Sequence, residues 1–245
     1  PVMKNATEKL SKRNGDASFE DLVAKGYLEE AVINYIALLG WAPKGENEVF
    51  TLDELIKEFD VSGISKSPAI FDPLKLKAIN GAYIRRLTPE KFMEYALPYI
   101  RQTCKKEPLD SKLMAELLQP RTELFTDIPD QVDFIDTLPN YDIAMYTHKK
   151  MKTSSESSLD ALQKILPVLS EVSDWSRDNI HEALYALIET LGVKNGMILW
   201  PLRVAVSGKP FTPGGGVELA EILGKDETLK RIQVGIEKLI AAVSA

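Results

Sequence analysis

The sequence predicts an all-α protein. Apolar residues recur at helical spacing along most of the 245 residues, and no segment sustains the alternation of apolar and polar residues that is typical of strands. Signals for helix starts are also frequent. Thr51 lies three residues before Glu54, as in a capping box, and Asp72 directly precedes Pro73. Only residues 48–50 look extended.

The predicted helices follow one another along the chain with short connections. Most begin at a residue whose side chain favours a helix start: Thr51, Asp72, Thr88 before Pro89, Asp110 with Ser111, the pair Ser157 and Ser158, and Ser176. In chain order the helices cover residues 30–39, 51–59 and 72–87, a segment that starts at Pro89, and residues 112–118, 159–172, 177–193, 217–223 and 226–242.

The composition is that of a globular protein and excludes several classes of site. Lys and Arg number 30 and Asp and Glu number 36, which gives a net charge of −6, and 44% of the residues are apolar. Cys104 is the only cysteine, so a disulfide within the chain and a cysteine-rich zinc site are excluded, and we expect no metal site. No apolar run reaches the roughly 18 residues of a membrane span. We expect a cytoplasmic protein without DNA or membrane partners.

A short basic segment near the N-terminus is the first candidate site. Lys9, Lys12 and Arg13 surround Ser11, and a glycine follows at position 15. Ammonium and guanidinium groups neutralise phosphate oxygens, and glycine lets the backbone approach a ligand. A basic cluster of this length is also typical of a solvated loop.

The motifs that follow resemble those of bacterial glutamyl-tRNA synthetases. KLSKR (residues 9–13) resembles the class I signature loop KMSKS, and GYLEEAVINYIALLGW (26–41) resembles the start of the stem-contact region. The likeness continues in FDPLKL (71–76), NGAYIR (80–85), WPLRVAVSGK (200–209) and TPG (212–214), in the order of the family and over essentially the whole chain. The sequence departs from the family at Ala78, where Trp is usual, and at residues 215–218, where Leu-Phe-Glu often follows TPG.

The catalytic half of such an enzyme is missing from the sequence. His148 and His181 are the only histidines, so the His-x-Gly-His motif is absent, and no Gly-rich turn follows a strand. The resemblance therefore implies the C-terminal part of a longer polypeptide, whose N-terminal catalytic half would be its partner. The intact enzyme would use ATP and Mg to attach glutamate to tRNA. We expect this chain to be inactive alone and to hold neither ATP nor Mg.

The resemblance also implies a domain organisation. It predicts a signature loop (1–17), a helical stem-contact region (18–87) and a two-part helical anticodon-binding domain, an α-helical cage (88–158 and 159–245). Lys9 and Lys12 would stabilise the charge that develops on the phosphates of ATP, with Lys12 in contact with ATP. Lys75 and Arg85 would meet phosphates of the tRNA stem, although both could equally be solvated helix charges.

The implied anticodon site centres on Arg203. Residues 190–217 contain Lys194, Arg203 and Lys209 but no Asp or Glu, and such a local positive surface attracts a phosphate backbone. A guanidinium can stack on a base and donate several hydrogen bonds, which suits Arg203 for base contact. The turn of Thr212, Pro213 and Gly214 would reach a base edge. Trp200 and Leu202 are expected to pack inside and present Arg203.

Gln119 bears on tRNA specificity. It precedes Pro120 and Arg121, and Arg121 is expected to contact the anticodon as well. Family members that accept only glutamate tRNA commonly have Arg at the position of Gln119, whereas Gln is associated with enzymes that also charge glutamine tRNA. The two tRNAs differ at the third anticodon base, which is C in glutamate tRNA and G in glutamine tRNA. The shorter, neutral Gln would exclude the purine G less effectively than an Arg would. Our hypothesis is a non-discriminating parent enzyme.

Two other classes of function remain open from the sequence. One is a stand-alone helical RNA-binding module without catalysis, and the other is a helical scaffold without an RNA partner. The acid-free segment around Arg203 disfavours the scaffold. The salt dependence of tRNA binding distinguishes an RNA-binding protein from a scaffold, because the affinity for RNA falls steeply as the salt concentration rises.

Overall fold

Helices make up nearly all of the regular structure, which confirms the predicted all-α class. The computed structural model describes residues 2–11 and 18–243. Its helices are α1 (Phe19–Ala24), α2 (Glu29–Leu38), α3 (Leu52–Glu58), α4 (Pro73–Arg86), α5 (Pro89–Thr103), α6 (Ser111–Leu118), α7 (Ile128–Val132), α8 (Ser155–Ser170), α9 (Arg177–Leu191), α10 (Asn195–Ser207), α11 (Gly216–Leu223) and α12 (Lys225–Val243). Two short strands, β1 (Val2–Met3) and β2 (Ala69–Ile70), pair in parallel with Val2 opposite Ala69.

The capping signals in the sequence act as expected at several helix starts. Thr51 and Glu54 form the reciprocal capping box of α3, Asp72 accepts hydrogen bonds from two backbone N–H groups of α4, and Ser176 caps α9. The start of α8 differs from the expectation. Ser154 forms a capping box with Ser157, so the helix begins at Ser155, ahead of the predicted start.

The described residues divide into two compact units. The first unit comprises the chain up to Ile100 together with Leu118–Pro129, and the second comprises Arg101–Leu117 and the chain from Asp130 onward. The predicted boundaries at residues 17, 87 and 158 stay a prediction.

Buried asparagines organise the first unit, where α2 packs on α4. The Asn34 side chain donates to the Glu48 carbonyl at 2.8 Å and accepts from the Phe50 N–H at 2.7 Å. These bonds satisfy backbone groups in residues 48–50, which therefore run beside α2 without joining a sheet. Asn80 also satisfies a buried backbone group, because its side-chain oxygen accepts a hydrogen bond from the Leu28 N–H at 2.8 Å.

A buried arginine organises the second unit, where α8, α10 and α12 pack together. Arg231 of α12 is only 1% exposed. Its guanidinium donates to the carbonyls of Phe134, Ile135 and Val206 at 2.8, 3.0 and 2.7 Å, and to the Glu227 carboxylate at 2.7 Å. Because Val206 lies in the last turn of α10, Arg231 fixes the C-terminal end of that helix.

Within residues 2–11 and 18–243, no helix has both the length and the apolar character needed to cross a membrane.

Candidate functional site

Helix α10 presents the main candidate residues. The sequence did not predict this helix, because Pro201 lies inside it and removes one backbone donor. Packing of its apolar side chains compensates, since Ile198, Leu202 and Val204 are almost fully buried. The helix ends at Gly208, whose φ of 61° is the left-handed conformation that glycine adopts easily.

A cavity of about 690 Å³ opens beside α10 in the second unit. Its walls come from α9, α10, the start of α11 and the segment before α8. The lining residues are Met151, Arg177, Asp178, His181, Tyr185, Asn195, Gly196, Leu199, Trp200, Arg203, Gly215, Gly216, Val217 and Glu218. This volume lies within the range of small-molecule sites and leaves ample room for a planar ring system.

Arg203 lines this cavity with a guanidinium whose hydrogen bonds are not all satisfied. Its guanidinium carbon lies 4.4 Å from the Trp200 ring centroid, within range of a cation–π interaction. One terminal nitrogen donates to the Pro210 carbonyl. The Nε–H is buried and has no hydrogen-bond partner among the described residues. Burial lowers the pKa of Arg203, although an arginine stays charged at neutral pH.

Trp200 is held in place from two sides. Its indole N–H donates to the Met145 carbonyl at 2.9 Å, and the His148 ring lies 4.1 Å from its ring, centroid to centroid. Leu202 is fully buried as expected, whereas Trp200 is only partly buried and forms part of the cavity wall. The sequence interpretation therefore missed that Trp200 belongs to the site itself.

Aromatic and charged side chains complete the walls. His181 and Tyr185, one turn apart on α9, stack with centroids 3.9 Å apart. Arg177 forms ion pairs with Glu221 at 2.7 Å and Glu116 at 3.3 Å. No sequence motif marked His181 or Arg177, because their relation to Arg203 depends on helix packing.

The predicted turn at 212–214 lies directly before the two glycines that line the cavity. The Thr212 hydroxyl donates to the Gly214 carbonyl at 2.6 Å, and Pro213 and Gly214 are buried. A Cβ atom on Gly214 would lie 2.6 Å from Leu117 Cδ1, so a larger residue would not fit without displacement. The turn thereby places Gly215 and Gly216 in the cavity wall.

Gln119 and Arg121 lie in the first unit, whereas the cavity lies in the second. The Gln119 amide nitrogen donates to the Ile84 carbonyl at 3.0 Å and to the Leu87 carbonyl at 2.7 Å. Gln119 thus satisfies carbonyls at the C-terminal end of α4. Arg121 is exposed in the 3₁₀ turn that Gln119 begins.

The predicted phosphate-contacting residues also lie in the first unit. Lys75 forms an ion pair with Glu48 at 2.7 Å, and Arg85 is exposed in the last turn of α4. Lys9 is exposed and pairs through its backbone with Met3. Lys12 lies outside the described residues.

Two protein-family models match the chain. One, described as an anticodon binding domain, matches residues 91–236. The other, described as the catalytic domain of class I tRNA synthetases (E and Q), matches residues 2–78.

The chain is also similar to glutamate–tRNA ligases over nearly its whole length. The ligase of Clostridium acetobutylicum is 58% identical over 98% of this chain and 49% of its own length, and that of Clostridium novyi is 54% identical over 100% and 51%. A crystal structure of the glutamate tRNA ligase from Elizabethkingia meningosepticum, in complex with its amino acid, superposes with a TM-score of 0.80 at 27% identity over 97% of this chain and 50% of that one. The chain thus spans about half the length of the relatives it matches, and the predicted resemblance to glutamyl-tRNA synthetases is confirmed.

Proposed function

This chain belongs to the anticodon-binding domain family, and from that premise we propose that it is the tRNA-binding part of a glutamate–tRNA ligase. Its substrate is then glutamate tRNA, and its work is to recognise the anticodon and the stem.

The observation that carries this proposal is the state of Arg203 in the cavity. A half-buried guanidinium whose Nε–H is unsatisfied favours a ligand that brings a hydrogen-bond acceptor. The ring edges of nucleobases carry such acceptors, and their faces stack on aromatic rings and guanidinium planes. Trp200, His181 and Tyr185 supply the aromatic surface. We therefore assign the cavity to an unstacked anticodon base.

In this proposal, residues of the first unit contact the tRNA stem and the third anticodon base. Lys75 and Arg85 contact phosphates of the tRNA stem, and Gln119 and Arg121 act at the third anticodon position. With Gln119 in place of an arginine, the parent enzyme charges both glutamate tRNA and glutamine tRNA. The amide of Gln119 is already bonded to two backbone carbonyls, which favours a side chain that does not clamp a base tightly.

The remaining half of the enzyme supplies the chemistry. ATP and Mg act in the intact protein, in the cytoplasm, where Lys9 and Lys12 neutralise phosphate charge, and this chain by itself does not charge tRNA. The match of residues 2–78 to a synthetase catalytic domain supports an enzyme part over a stand-alone RNA-binding module.

Binding of this chain to small RNA hairpins tests the proposal. One hairpin carries the anticodon loop of glutamate tRNA, and the control hairpin has the same stem with a scrambled loop. The proposal predicts tighter binding to the first hairpin and a steep loss of affinity as salt rises. Equal affinities for the two hairpins, or no binding by the folded chain, would refute anticodon recognition.

A further inference from the structure

A turn rich in lysine lies just before α8 in the second unit. Lys149, Lys150 and Lys152 are all exposed, and the Lys152 N–H donates to the Lys149 carbonyl at 3.4 Å. A pair of backbone hydrogen bonds between His148 and Thr153, at 3.1 and 3.2 Å, closes the turn. Residues 149–152 are called the lysine turn below.

The charges of the lysine turn are not neutralised by carboxylates of the described residues. Among residues 2–11 and 18–243, no carboxylate lies within ion-pair distance of these three ammonium groups. Several other cations of the second unit do have partners. Lys164, Arg177 and Lys209 pair with carboxylates, and Lys106 and Lys225 donate to backbone carbonyls. In a chain of net charge −6, the turn is therefore a local concentration of positive charge.

The lysine turn borders the Arg203 cavity. Met151, at its centre, lines the cavity and packs so tightly on α10 that a Cβ on Gly196 would lie 2.6 Å from the Met151 sulfur. His148, which precedes the turn, packs on Trp200, and Trp200 in turn contacts Arg203. Lys150 and Lys152, the exposed neighbours of Met151 in the sequence, therefore lie close to the proposed base site along the chain.

The backbone of Lys152 adds an independent observation. Its φ is 58°, the left-handed conformation that glycine and asparagine adopt more readily than lysine. Such strained positions concentrate at functional sites, where the surrounding structure enforces them. Lys152 is exposed in this conformation.

We propose that Lys149, Lys150 and Lys152 bind backbone phosphates of the RNA strand whose base enters the Arg203 cavity. The inference rests on the proposed function and adds to it a site that holds the strand at the cavity mouth. Contacts to phosphates position a strand without reading its sequence, whereas Arg203 and Trp200 contact the base. Lysine suits this role because its ammonium is a compact charge with three donors.

Salt-dependent binding of the hairpin with the glutamate anticodon loop tests the lysine turn. The test variant replaces Lys149, Lys150 and Lys152 with Gln, and the control variant replaces Lys112, Lys164 and Lys230 with Gln, so both lose the same charge. Each phosphate contact to a single strand contributes about 0.7 to the slope of log affinity against log salt. The test variant should therefore lose about 2 from this slope and bind at least tenfold more weakly at low salt. The control should keep the wild-type slope.

Each other outcome has a distinct meaning. A wild-type slope in the test variant overturns the inference and leaves the proposed function standing, and so does an equal loss of slope in both variants. Absence of salt-sensitive binding by the wild-type chain instead refutes the proposed function itself. Replacement of the three lysines with Arg should restore the slope, because the charge returns. Single Lys149→Gln and Lys150→Gln variants repeat the test without altering the strained position.

Discussion

The guanidinium carbon of Arg203 lies 4.4 Å from the Trp200 ring centroid, three positions earlier in α10. Residues at this spacing share one side of a helix, so Trp200 and Arg203 both line the cavity. Pro201 and Leu202, between them, are buried in the core. The sequence WPLR thus divides its residues between the site and the core.

Replacing Trp200 with Leu should weaken RNA binding about tenfold. Leucine keeps apolar bulk but removes the ring face. A cation–π contact is worth about 0.5–2 kcal/mol and the stacking of a base on an aromatic ring about 1–3 kcal/mol. The affinity for the hairpin with the glutamate anticodon loop measures the effect. Trp175→Leu is the matched control, because Trp175 also donates its indole N–H to a carbonyl, that of Ala220 at 3.0 Å, but does not line the cavity. Equal losses in the two variants would contradict the role of Trp200.

Replacing Gln119 with Arg in the full-length ligase should reduce charging of glutamine tRNA more than charging of glutamate tRNA. The larger cationic side chain leaves less room for a purine at the third anticodon position. Aminoacylation rates with both tRNAs measure the ratio, and Lys66→Arg, which changes an exposed cation of the same unit conservatively, serves as a control. A wild-type enzyme that never charges glutamine tRNA would contradict the non-discriminating hypothesis.

Replacing Arg231 with Met should destabilise the second unit by about 3 kcal/mol. The change leaves the carbonyls of Phe134, Ile135 and Val206 without their donor in the core, and such losses cost several kcal/mol. The urea midpoint measures the loss. Lys230→Met is the control, since Lys230 is exposed and contacts the same Glu227 only at 3.8 Å. We expect a change of about 0.5 kcal/mol or less there. Similar urea midpoints for the two variants would contradict the stabilising role of the hydrogen bonds from Arg231.

The stability of the first unit should fall between pH 10 and 12 in part because of Tyr83. Burial raises the pKa of Tyr83 from 10.0 to about 12. The folded state then keeps a proton that the unfolded state has lost, so this contribution is complete below pH 10 and disappears as pH rises through 12. Tyr83→Phe should reduce the slope of unfolding free energy against pH in that interval. It should also lower stability at neutral pH, because the hydroxyl bonds Asn34 and the Phe50 carbonyl. Parallel pH curves for the two proteins would contradict this account.

Local signals in the sequence predicted much of the fold. Thr51, Asp72 and Ser176 mark helix starts because a cap needs only neighbouring residues. The sequence analysis does not predict α10, because the packing that stabilises this helix around Pro201 comes from distant segments. The parallel pairing of β1 with β2 is equally non-local.

The candidate site was only partly predictable. A resemblance to a known family points to Arg203, and the structure places Arg203 in a cavity lined by aromatic and charged side chains. The sequence predicts that Trp200 is in the core, because an aromatic ring in an apolar segment usually is. The sequence does not mark the lysine turn as part of a site, because only the packing of Met151 and His148 places it beside the cavity.

The measurement that tests the central claim most directly is the affinity of this chain for glutamate tRNA, compared among wild type, Arg203→Ala and Arg203→Lys at two salt concentrations. The account predicts salt-sensitive binding by the wild type, at least tenfold weaker binding by Arg203→Ala, and only partial recovery in Arg203→Lys, since an ammonium restores the charge but not the planar set of donors. Unchanged affinity in a folded Arg203→Ala variant would contradict the assignment of the cavity to an anticodon base.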